Sequence, residues 1–90
     1  MHANQDAILR RLKIVRGQVE GLIHMVEEDR YCIDVSTQLM AASQALRSIN
    51  RDVLSEHLTH CMITSAESGD RNEIEQKLKE MDEVIQTLSR

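Results

Sequence analysis

Along the first third of the chain Ile8, Leu12, Val15, Val19, Leu22 and Val26 recur at alternating spacings of four and three, which sets them on one face of a helix. The pattern predicts a first helix from Asp6 to about Asp29. Glu27, Glu28 and Asp29 then bring acids to a helix end where the macrodipole disfavours them, so the helix stops or frays there and a turn through Arg30 and Tyr31 follows. A second stripe runs Cys32, Val35, Leu39, Ala42, Leu46, Ile49 and Val53, then continues in steps of four through His57 to Cys61. No glycine or proline interrupts it before Gly69. The second helix is therefore about 30 residues long or more, on the order of 45 Å at 1.5 Å per residue, too long for a compact monomer of this size to cover. Past Gly69, a C-terminal cap, Asn72 is expected to cap a third helix with the stripe Ile74, Leu78, Met81, Ile85 and Leu88. The predicted fold class is all-α: a three-helix subunit with a long central helix, one domain over residues 1–90.

Composition sharpens this in two ways. A lone 90-residue core stabilises a monomer only marginally, so oligomerisation is expected. Fifteen acids against eleven basic residues give a net charge of -4, which argues against a nucleic-acid binder held by bulk charge; any such contact must come from a local patch. The longest uncharged run, residues 35–46, is short and carries Ser36, Thr37, Gln38, Ser43 and Gln44, far from a membrane span. With no secretory signal evident and two cysteines, the expected setting is the cytoplasm, where metal or redox chemistry is a better use of the thiols than a structural disulfide.

Both cysteines and His57 lie on or beside the second stripe. His57 and Cys61 are four apart, so one helical face aims an imidazole and a thiol at the same point. Cys32 precedes His57 by 25 residues, roughly 37 Å along a continuous helix, and cannot join them within one chain. A second copy packed antiparallel by two-fold symmetry brings its Cys32 to the pair and generates the same site twice. Two thiolates and one imidazole are soft donors suited to Cu(I) in a closed trigonal site. Taken singly, each residue has a blander reading: a cysteine on a helix stripe is usually a small buried hydrophobe, and a His/Cys pair at this spacing is commonly incidental. The three together, on one face at the two ends of one helix, favour the metal site.

The stretch Arg11-Leu12-Lys13-Ile14-Val15-Arg16-Gly17-Gln18, then Tyr31-Cys32, then Ser55-Glu56-His57-Leu58-Thr59-His60-Cys61 resembles the copper-sensitive operon repressor family (CsoR/RcnR type), over nearly the whole chain. The resemblance implies three-helix subunits, paired as antiparallel dimers that form a four-helix bundle and assembled as dimers of dimers, without a helix-turn-helix. It carries the ligands of the copper-sensing branch onto Cys32, His57 and Cys61. Nickel and cobalt sensors of the family have a histidine where this chain has Cys61, and another near the N-terminus for which His2 is two residues out of register. Persulfide sensors keep the two cysteines and lack the histidine, and formaldehyde sensors lack the second cysteine. The resemblance also implies an outer shell of a tyrosine before the first cysteine, which Tyr31 fits, and a third-helix glutamate. The place of the latter falls near Gln76 or Lys77, with Glu75 adjacent.

Residues 7–19 hold Arg10, Arg11, Lys13 and Arg16 and no acid, in a chain otherwise acidic. On a helix Arg11 and Arg16 flank the apolar stripe while Arg10 and Lys13 point away from it. A solvated face is the plain reading of four such charges. Repetition of the patch in a tetramer favours phosphate contacts instead, with Gln18 and Asn50 as polar or structural helpers. In the family that the chain resembles, the first-helix basic residues contact operator DNA. The expected function is a Cu(I)-responsive repressor that holds operator DNA when metal-free and is released on metal binding. The alternatives are a persulfide or redox-sensing repressor of the same family and a copper-buffering protein without DNA binding. No phosphate loop, nucleophile-base pair or carboxylate pair suggests an enzyme.

Overall fold

The computed structural model describes Met1 and residues 3–88, with side chains through Thr87. It has three helices, α1 (Gln5–Glu27), α2 (Cys32–Ser68) and α3 (Arg71–Leu88), as the periodicity predicts. None is long and apolar enough to cross a membrane. His2, and the Leu88 side chain expected to end the third stripe, lie outside the described residues.

Each helix end has an identifiable cause. Asn4 caps α1, its side-chain oxygen accepting from the Ala7 amide at 3.1 Å. At the other end the Asp29 amide donates to the Val26 carbonyl (3.1 Å) and the Arg30 amide to the Met25 carbonyl (3.0 Å). This is a Schellman arrangement in which Asp29, at φ 54°, holds the left-handed position usually given to glycine. Gly69 ends α2 as expected, with φ 68° and its amide donating to the Ser65 carbonyl at 3.3 Å. The third helix starts earlier than its expected cap. Asp70, not Asn72, accepts from the amides of Asn72 (3.0 Å) and Glu73 (3.4 Å), because a carboxylate directly after Gly69 reaches the free amides first.

The chain packs as two compact units that divide α2 between them, Asn4–Asp52 and Val53–Arg90 with Met1–Ala3. In the first, Arg11 meets Ser48 and Asp52, while Leu22 and Val26 share a groove with Leu39 and Ala42, so α1 and the first part of α2 run antiparallel. The apolar stripes split in a regular way. Ile8, Val15 and Leu22, seven apart on α1, are buried, as are Ala42 and Ile49 on α2. The alternate members, Leu12, Val19 and Val26 on α1 and Leu39 and Leu46 on α2, are exposed, Val26 at 65% and Leu39 at 53%. One chain thus covers only every second residue of each stripe. Val19, Ile23, Val26, Leu39 and Leu46 line an open apolar groove of about 550 Å³.

In the second unit the half-buried face of α2 runs through Val53, His57, Leu58, Cys61 and Met62 to the fully buried Ser65. The matching face of α3 is Glu73, Ile74, Lys77, Glu80, Met81 and Val84.

Candidate metal centre and nucleic-acid interface

One helical turn separates His57 from Cys61, and the fold of α2 turns that spacing into proximity: the Cys61 sulfur is 3.5 Å from His57 Nε2. The contact sets a thiol and an imidazole side by side on one face of α2. The donor set is soft and the pair half-buried, so the residues present fit a thiophilic ion. Among the described residues, no three of His, Cys, Asp and Glu come together to hold a metal. Cys32 is the first residue of α2 and is exposed.

A carboxylate on α3 faces the pair. Glu80 Oε1 lies 3.3 Å from His57 Nε2, and Lys77 Nζ donates to Glu80 Oε2 at 3.4 Å. The hydrogen bond from His57, followed by the charge of Lys77, holds the Glu80 carboxyl below its usual pKa. A neutral imidazole has one N–H and one lone pair, so His57 Nε2 serves its two neighbours one at a time, with a proton toward Glu80 or a lone pair toward Cys61. When the proton faces Glu80, the lone pair sits on Nδ1 and the carboxylate fixes the tautomer and ring orientation.

Glu80 thus meets the ring, whereas the resemblance pointed near Gln76 or Lys77, with Glu75 adjacent. Glu75 is exposed. At 100° per residue it falls on the far side of α3 from the Glu73, Lys77, Glu80 and Val84 face. Phase along α3 was the available signal, since Glu80 stands next to the stripe residue Met81. Tyr31 precedes α2, its carbonyl accepting from the Val35 amide at 3.2 Å, and its side chain is 68% exposed.

The basic run on α1 divides. Arg10, Lys13 and Arg16 are exposed and make no ion pair among the described residues. Arg11 is half-buried, paired with Asp52, and its second terminal nitrogen donates to Ser48 Oγ at 2.9 Å. Gln18 is partly buried, with a side-chain oxygen that has no partner among the described residues, and Asn50 is exposed. Arg47 and Arg51, which sequence reasoning passed over, line an open groove on α2 beside Ser48. Their four-residue spacing was the signal.

The chain is 48% identical over 65 residues to the copper-sensing transcriptional repressor RicR of Mycobacterium tuberculosis, a match covering 72% of this chain and 68% of that protein. Its fold superposes with a TM-score of 0.81 on the copper-sensing repressor CsoR with Cu(I) from Geobacillus thermodenitrificans, at 38% identity over 94% of this chain and 85% of that one. The nickel-responsive transcriptional regulator InrS superposes equally well, with a TM-score of 0.83 and 30% identity over 98% of this chain and 96% of that one. Backbone likeness alone thus does not choose between metals. A model of metal-sensitive transcriptional repressors matches residues 4–90, and with the three helices and the His57–Cys61 pair in place, the chain belongs to that family.

Proposed function

We propose that this protein is a cytoplasmic Cu(I)-responsive repressor, one metal-sensing and DNA-binding domain that assembles as a homotetramer and holds operator DNA only while metal-free. The observation that carries the reading is the His57–Cys61 pair, 3.5 Å apart on one face of α2. The regulator InrS is nickel-responsive, whereas RicR and CsoR are copper-sensing. Cys61 favours copper for this chain, because a thiolate at that place is a softer donor than an oxygen or nitrogen ligand.

The third donor in this account is Cys32 of a second copy. An unbroken α2 from Cys32 to Ser68 supports that assignment, as do the exposed alternate residues of both stripes, which a second chain would cover. Bound copper supplies a soft Lewis-acidic centre that ties two chains together. His57, Cys61 and the second copy's Cys32 bind it, Glu80 holds the His57 ring, and Lys77 holds Glu80. Tyr31, the residue before Cys32, would shield the first thiolate.

Arg10, Arg11, Lys13 and Arg16 are the phosphate contacts of the metal-free form, with Gln18 as a polar helper beside them. One monovalent cation taken up in exchange for two protons would leave the site one charge more negative, a sign that would favour release of DNA. Screening over about 8 Å makes that effect weak at a distance, so a change in the matching of the basic faces supplies most of a coupling of typically 1–3 kcal/mol.

Fluorescence anisotropy of a labelled duplex from the protein's own upstream region tests the function. Metal-free protein should bind it, and one Cu(I) per chain should release it. Release by nickel or by a persulfide donor, with none by Cu(I), would overturn the copper reading, and no binding by the metal-free protein would overturn the repressor.

A further inference from the structure

We propose that Asp52 is a built-in competitor of the DNA backbone for Arg11, an internal carboxylate that occupies the guanidinium a phosphate would otherwise take and so lowers the affinity of the metal-free protein for its operator. The proposal rests on the reading that the basic face of α1 binds DNA.

Among the described residues, Arg11 is the one member of the α1 basic run that is already paired. Its partners come from α2 at i and i+4: Ser48 Oγ accepts from one terminal nitrogen and the Asp52 carboxylate from the other. Arginine presents a planar fork of donors that matches carboxylate and phosphate in the same way, so this grip imitates the one a backbone phosphate makes. One guanidinium cannot offer the same edge to both. The Arg11 and Asp52 side chains are 34% and 57% exposed, so the pair is reachable from solvent and weak enough for a phosphate to displace. The neighbouring Arg47 and Arg51, exposed beside Ser48, make the surroundings attractive to an anion. The contact therefore sets DNA affinity below what the cationic face alone would give. A metal-driven change of ordinary size is then enough to clear the operator.

The experiment compares metal-free full-length wild type with Asp52→Asn, Ser48→Ala, Glu56→Gln, Arg11→Ala and the Arg11→Ala/Asp52→Asn double variant. Affinity is read by anisotropy on the upstream duplex, and folding by circular dichroism. Asp52→Asn, which keeps the side-chain shape and removes the charge, should bind about two- to fivefold more tightly than wild type. Ser48→Ala, which loosens the same guanidinium without changing charge, should give a smaller gain. Glu56→Gln removes an equal charge one turn along α2 and should gain less than Asp52→Asn. The Asp52→Asn gain should vanish in the Arg11→Ala background. Weaker or unchanged binding by both Asp52→Asn and Ser48→Ala, an equal gain from Glu56→Gln, or a gain that survives without Arg11 would overturn the competitor. If wild type still binds DNA and leaves it with copper, the proposed function stands while this inference falls. If no folded variant binds DNA, both fall.

Discussion

Cys61 is the residue on which the choice of metal turns. Replacing it with histidine should weaken Cu(I) binding and shift preference toward nickel or cobalt, because an imidazole is harder than a thiolate. Competition against a Cu(I) chelator measures this, and an unchanged affinity would remove Cys61 from the ligand set. Glu80 allows a sharper comparison. It touches His57, whereas Glu75 is exposed, so Glu80→Gln should weaken Cu(I) binding by about tenfold, as loss of a group that orients a ligand typically does, while Glu75→Gln leaves it unchanged. The reverse order would restore the glutamate that family resemblance pointed to. His57 and Cys61 were legible in the sequence because their four-residue spacing needs only a helix to become a pair. Glu80 was not, because its contact depends on which side of α3 turns inward. That phase is set by the turn at Gly69 and the cap at Asp70. The pairing of Arg11 with Asp52 was out of reach for a similar reason: it needs a residue 41 positions away.

At the scale of the helices, periodicity located all three elements, and the ends were where local chemistry decided. The acids at 27–29 marked the end of α1 correctly, though the stop is a defined hydrogen-bonded motif with Asp29 in a left-handed backbone, not fraying. Asp29→Gly should relieve that conformation and remove a charge from the unfavourable end of the dipole, stabilising the fold by about 0.5–1 kcal/mol in chemical denaturation. A loss of stability would mean that the Asp29 side chain makes up for its backbone. In α1 and the first part of α2 the stripe, read from the sequence as a single face, proves to be two interleaved lines with a seven-residue repeat, one covered by the chain itself and one exposed. A sequence pattern reports that residues are apolar but not which neighbour covers them, so this division was beyond its reach.

For the whole molecule, those exposed lines carry the proposed assembly. Leu39→Glu combined with Leu46→Glu should convert an oligomer at micromolar concentration into smaller species in sedimentation, since both side chains lie in the open apolar groove of a chain that already buries Ala42 and Ile49 on its own. An unchanged sedimentation coefficient would place the interface elsewhere. The central claim is that each copper site takes Cys32 from one chain and His57 with Cys61 from another. Homodimers of Cys32→Ala, and of His57→Ala/Cys61→Ala, should each lack tight sites. The two variants, differently tagged, can be unfolded together, refolded, and the mixed dimer isolated for titration with Cu(I) against a chelator. In that dimer the intact Cys32 of the double variant faces the intact His57 and Cys61 of the other chain, while the opposite site has lost all three ligands. The account predicts one tight Cu(I) per mixed dimer; a well-folded mixed dimer that binds none would contradict it.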